Sequence, residues 1–221
     1  MPGLDPCQAL AELLATMRTL RAPGGCPWDA GQTPESLAPY ILEEACETIE
    51  AIETGSPETV AGELGDLLLQ VVFQAQIFAE RGCFDFADVA AGINAKLLRR
   101  HPHVFADQGQ GVTDVNLELQ WERIKLEEQA ADAPAGQHPL GSLPGNLPAL
   151  QQAQKLVSRA MRRGIDIPLP SPMQPASGQL SEEELGLVLL ALAKQAELSG
   201  LDAEQALRKT VRKILALHGK R

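Results

Sequence analysis

Two pairs of acids lie inside the most apolar part of this chain, and they restrict what it can fold into. Glu44 and Glu47 sit in Leu42-Glu43-Glu44-Ala45-Cys46-Glu47. Glu63 and Asp66 sit in Gly62-Glu63-Leu64-Gly65-Asp66-Leu67-Leu68-Leu69. Each pair is spaced i, i+3, so on a helix both members share a face. The second pair opens a run from Leu67 to Ala79 whose only polar residues are Gln70, Gln74 and Gln76. A helix apolar nearly all round is expected to be buried. Buried carboxylates are costly unless a cation or a donor compensates them. Four acids converging on one spot suit hard divalent cations such as Mg²⁺.

Composition narrows the class. The chain is 44% hydrophobic but only 4% aromatic, and its Ala and Leu content favours helices over strands. Its net charge of -10, from 19 basic and 29 acidic residues, argues against a stable nucleic-acid complex, which usually needs a basic surface. No basic region precedes an apolar core near the N-terminus, and no uninterrupted apolar stretch reaches the roughly 18 residues of a membrane span. A cytoplasmic protein with no membrane association is expected. Cys7, Cys26, Cys46 and Cys83 show no CxxC spacing, so free thiols are expected rather than zinc or a redox pair.

The periodicity is helical throughout, and the expected fold is an all-α helical bundle. Helices are expected over residues 6–21, 34–54, 57–80, about 86–100 and 114–131, giving a four- to five-helix core within residues 1–131. Thr33 and Ser56 stand where N-caps belong, Pro34 and Pro57 at first helical positions, and Asp85 or Phe86 begins the fourth helix. Pro39 marks a kink or a later start. Residues 132–148 are rich in Pro and Gly and read as a linker. A smaller helical region, 149–221, follows, with helices over 149–163, 181–199 and 202–218.

The short Gly55-Ser56 turn makes helices 34–54 and 57–80 an antiparallel hairpin. At about 1.5 Å per residue, the first acid pair lies roughly 14 Å before the turn and the second roughly 11 Å after it. The two pairs therefore sit at nearly one height, and they meet if the helices' rotation allows. A solvated helix face remains the plain alternative for Glu44 and Glu47. A di-iron bundle is a competitor, but its Glu-x-x-His motif is absent: position i+3 is Glu47 or Asp66. All-oxygen ligands favour Mg²⁺, or Mn²⁺ as a substitute, over iron.

The pattern Glu44-x-x-Glu47 then Glu63-x-x-Asp66 resembles the metal motif of the MazG-type all-α nucleoside triphosphate pyrophosphohydrolases. Gly25-Cys26-Pro27-Trp28-Asp29, Arg99-Arg100-His101-Pro102-His103-Val104-Phe105 and Trp121-Glu122-x-Ile124-Lys125 are similar to that family's N-terminal half as well. The likeness covers about residues 8–130. It implies Mg²⁺-dependent hydrolysis of a nucleoside triphosphate to monophosphate and pyrophosphate, in a homodimer or larger assembly of helical bundles. Glu44, Glu47, Glu63 and Asp66 would then be metal ligands and catalytic residues.

The chemistry agrees. A triphosphate needs cations between itself and four carboxylates, and basic side chains to neutralise departing pyrophosphate. Lys96, Arg99, Arg100 and Lys125 are the candidates for that contact, with surface solvation as the alternative. Trp28, in a Gly/Pro loop, either stacks on a base or plugs the bundle. Pro102 in His101-Pro102-His103 favours an extended turn and helix stop over a metal clip.

Residues 149–218 read as a degenerate repeat of the first half. Glu184-Leu185-Gly186-Leu187-Val188-Leu189-Leu190 matches the stretch from Glu63, but Leu187 replaces Asp66 and Val211 replaces Asn94. Any active site therefore belongs to the first half. A non-catalytic nucleotide-binding protein and an assembly scaffold remain the alternative functions.

Overall fold

The fold comes from a computed structural model that describes residues 5–105, 120, 123–124, 128, 140, 143–169 and 180–218. Among these, every regular element is a helix. The chain divides into two compact units, Met1–Leu126 and Glu127–Arg221. The helix expected over 114–131 and the linker over 132–148 lie largely outside the described residues, as does Lys125.

In the first unit, α1 (Pro6–Arg21) starts at Asp5, whose side chain accepts from the Gln8 N–H. A single helical turn, α2 (Pro27–Ala30), follows a tight loop. Gly24 takes φ 85°, which favours glycine. At Gly25 a Cβ would sit 2.4 Å from the carbonyl oxygens of Thr19 and Leu20, so only glycine lets the loop close on α1.

The hairpin helices are α3 (Pro34–Thr54) and α4 (Pro57–Glu80). Thr33 and Ser36 form a reciprocal capping box, and Ser56 accepts from Thr59 N–H. These are the caps expected from sequence. Pro39 lies inside α3, which begins at Pro34 rather than after the proline. Gly82 (φ 68°) turns the chain into α5 (Phe86–Arg100), capped by Asp85. Pro102 then opens a helical turn, α6 (Pro102–Phe105), where an extended turn was expected. A proline at a first helical position needs no N–H there, so the same residue that ends α5 can start the next turn.

Met17, Leu37, Val72, Phe73 and Ile77 form the buried core, with Leu13, Leu14, Leu69 and Phe86 packed against it. The core surrounds the second half of α4, whose buried residues run from Gln70 to Ile77. In the first half of α4, Leu64 and Leu68 are exposed, as is Val71 just beyond. The expectation that α4 is buried along its whole length is thus corrected: α1 and the start of α5 cover only its C-terminal half.

An ion pair closes this end. Arg21 Nη2 lies 2.7 Å from Glu80 Oε2. That hydrogen bond chiefly holds the Glu80 carboxyl below its ordinary value; partial burial opposes it and Gln76 assists. A carboxyl pKa lower in the folded state adds stability that is complete above the unfolded value and is lost as pH falls through the folded one. Thermal unfolding followed below pH 4.5 is therefore expected to show a steeper loss of melting temperature for the native chain than for Glu80→Gln. Equal slopes would remove the pair from the account.

The second unit contains α7 (Ala149–Arg162), α8 (Glu182–Leu198) and α9 (Ala203–His218). Gln154 clasps it: its amide donates to the Leu201 carbonyl at 2.8 Å, and its oxygen accepts from Ala203 N–H at 2.6 Å. Glu184, aligned with Glu63, is occupied at the start of α8, where its carboxylate accepts from Ser181 N–H and Oγ at 2.8 and 2.9 Å. It caps a helix here.

Candidate metal centre

Two cross-helix bonds set the register of α3 against α4. Gln74 Nε2 donates to the Pro34 carbonyl at 3.1 Å, and Thr48 Oγ1 donates to the Glu63 carbonyl at 3.2 Å. The helices are antiparallel, so one turn back from Thr48 on α3 lies level with about one turn forward from Glu63 on α4. Those positions are Glu44 and Asp66. Thr48 is buried at this junction and locks the rotation that the sequence left open.

Glu44, Glu63 and Asp66 accordingly bring one carboxylate oxygen each to within 4.8 Å of one another. Glu44 and Glu63 are half-buried and Asp66 is exposed. Glu47 is exposed and stands outside this group of three. Partial burial, followed by the charges of Asp66, Glu47, Glu43 and Glu63, pushes the Glu44 carboxyl above its ordinary value. Crowded like charges of this kind are relieved by a cation. The donor set is all oxygen, and the group can hold a divalent metal ion.

The other predicted residues are less closely gathered. Lys96, Arg99 and Arg100 lie in the C-terminal half of α5. Counted along the helices from the Gly82 turn, Arg99 and Asp66 are about equally far, roughly 25 Å, and Lys96 roughly 20 Å. The basic end of α5 thus reaches the acids' distance from the shared turn. Trp28 is elsewhere. Its loop is anchored to α4 at Glu80, 14 residues beyond Asp66, or roughly 21 Å along the axis. Trp28 is 56% exposed and is not part of the buried core cluster. His101 Nδ1 contacts the Leu97 carbonyl at 2.7 Å, as a helix stop does.

Sequence reasoning passed over Thr48, Arg21 and Glu80. Thr48 was visible one turn from Glu44. The Arg21–Glu80 pair spans 59 residues and carried no local signal.

Comparison with known proteins then decides the family. The profile of the MazG nucleotide pyrophosphohydrolase domain matches residues 32–105, which span both acid pairs. A nucleoside triphosphate pyrophosphohydrolase of Escherichia coli K12 is 43% identical, over 91% of this chain and 82% of that protein. The chain belongs to the MazG family. A second relative, from Thermotoga maritima, is named nucleoside triphosphate pyrophosphohydrolase/pyrophosphatase MazG and is 38% identical over 92% of this chain and 82% of its own. A Mycobacterium tuberculosis protein named nucleoside triphosphate pyrophosphohydrolase is 38% identical over 74% of this chain and 48% of its own length. The all-α fold agrees with this MazG membership. No helix among the described residues is long and apolar enough to cross a membrane.

Proposed function

We propose that this MazG chain hydrolyses nucleoside triphosphates to the monophosphate and pyrophosphate, with Mg²⁺ held by Glu44, Glu63 and Asp66. The convergence of those three carboxylates at the α3–α4 junction carries the reading. Glu47, on the next turn of α3, joins through an outer contact or orients the attacking water. When bound, the ion polarises the α-phosphoryl group and lowers the pKa of that water. The chain's own residues do the rest. Glu44 and its neighbours hold the negative charge that retains the ion, and the half-exposed setting leaves room for a triphosphate. Lys96, Arg99 and Arg100 neutralise the departing pyrophosphate, with Lys125 a further candidate. Trp28, whose loop is anchored roughly 21 Å along α4 from Asp66, lies beyond the reach of a base whose α-phosphate meets those acids, so no substrate contact is assigned to it.

The first unit is the catalytic one in this reading, and residues 149–221 are a degenerate copy. Glu184 serving as a cap supports that view. The exposed Ile41, Leu42, Ile49, Leu64 and Leu68 on α3 and α4 support a second copy covering this face as a homodimer.

The test is product identity with Mg²⁺ and a panel of nucleoside triphosphates. Monophosphate plus pyrophosphate is the expected outcome. Orthophosphate would mean a different bond is cleaved, and binding without any product would favour a non-catalytic nucleotide-binding protein.

A further inference from the structure

We propose that Gln70 belongs to the metal centre, where its carboxamide oxygen is a neutral oxygen donor beside Glu44, Glu63 and Asp66. The proposal rests on the metal-centre reading above.

Gln70 and Thr48 are the buried polar residues among those described, and Gln70 is 6% exposed. Thr48 is engaged with the Glu63 carbonyl. Gln70 Oε1 is shut off from solvent and accepts no hydrogen bond. The other glutamines of α4 differ: Gln74 donates to the Pro34 carbonyl at 3.1 Å, and Gln76 to Glu80 Oε1 at 2.9 Å. A buried acceptor without a donor costs stability, and an apolar side chain of similar size would remove that cost. Packing alone therefore gives no reason for a glutamine here.

Its place on α4 supplies one. Gln70 follows Asp66 by four residues and Glu63 by seven. At 3.6 residues per turn it projects within about 40° of Asp66 and about 20° of Glu63. It therefore shares their stripe of α4, the one joined to α3 through the Glu63 carbonyl and Gln74. Helical side chains tilt toward the N-terminus and cover the preceding turn. From position 70 that turn carries Asp66. Residues four apart are close neighbours on a helix face, a spacing at which two ligands can hold one ion. The chemistry fits as well. Mg²⁺ seeks an octahedron of oxygens. Glu44, Glu63 and Asp66 already bring three carboxylate oxygens within 4.8 Å of one another, and a triphosphate adds further negative charge. A carboxamide supplies an oxygen without adding to that repulsion. Glu47, the fourth donor expected from sequence, is exposed and outside the group, whereas Gln70 lies on the buried side.

Two measurements on the full chain test this: thermal melting of the metal-free proteins, and calorimetric titration of Mg²⁺ with a non-hydrolysable nucleoside triphosphate present. Gln70→Met keeps the bulk and removes the oxygen. Without metal it is expected to melt no lower than the parent. Its Mg²⁺ affinity is expected to fall about tenfold or more, since losing even an outer partner of a ligand costs about 10–100-fold. Gln70→Glu restores an oxygen donor. It is expected to melt below the parent without metal, as a buried carboxylate does, and to gain more than the parent from added Mg²⁺. Parent-like Mg²⁺ affinity in Gln70→Met overturns the proposal. If that variant does not fold, a Gln70→Glu melting temperature that Mg²⁺ raises no more than the parent's overturns it. Glu63→Gln separates the two claims. Mg²⁺ binding lost there but intact in Gln70→Met overturns the role of Gln70 alone. Binding unaffected in Glu63→Gln, or absent from the parent, overturns the metal centre and Gln70 with it.

Discussion

Glu63→Gln is expected to lower turnover on the order of a thousandfold while leaving the protein helical. The metal's stabilisation of transition-state charge amounts to several kcal/mol, and each 1.36 kcal/mol or so is tenfold in rate. Glu63 is the informative position because its own backbone is anchored: its carbonyl accepts from buried Thr48. The side chain can therefore change without moving α3 against α4. Glutamine keeps the size and removes the charge. In metal-free protein the variant should melt no lower than the parent, because one of three crowded carboxylates has been neutralised. Loss of activity with intact circular dichroism and an unchanged or raised melting temperature is the expected pattern. Native turnover in Glu63→Gln would remove the metal site from the mechanism.

Phe73→Ala is expected to destabilise the first unit by about 3–5 kcal/mol, the usual cost of emptying a phenylalanine site in a packed core. Phe73 is 3% exposed and packs with Met17, Leu37, Val72 and Ile77. The Arg21 guanidinium lies over its ring, so the truncation also removes a cation–π contact. A whole domain is stable by only about 5–15 kcal/mol, so this one change consumes a large part of that margin. Leu64→Ala is the control. Leu64 is half exposed in the single chain. There the change is expected to cost less than about 1 kcal/mol, as surface substitutions do. Urea unfolding measured at two protein concentrations compares them. A concentration-dependent cost for Leu64→Ala would mean that a second copy covers that face. A cost below about 1 kcal/mol for Phe73→Ala would contradict the core as described.

The local parts of this structure were legible because their causes are local. Thr33 and Ser56, read as caps, each cap the helix they precede, through bonds within three residues. The heights of the acid pairs followed from counting residues from one short turn. Their rotation did not, since it depends on Thr48 reaching across to α4. The partial burial of α4 was hidden for a related reason. Leu64 and Phe73 look alike as apolar residues, and only the placement of α1 decides which is covered. Pro102 carried one signal with two readings, stop or start. The Ser181-x-x-Glu184 capping pattern was readable as such, but Glu184 was read only as the counterpart of Glu63 in a degenerate repeat.

Calorimetric titration of Mg²⁺ into the metal-free full chain, beside Glu63→Gln, with a non-hydrolysable triphosphate present, tests the metal centre most directly. The account predicts saturable binding to the native chain, much weakened in Glu63→Gln. Equal binding to both, or none to either, would contradict it.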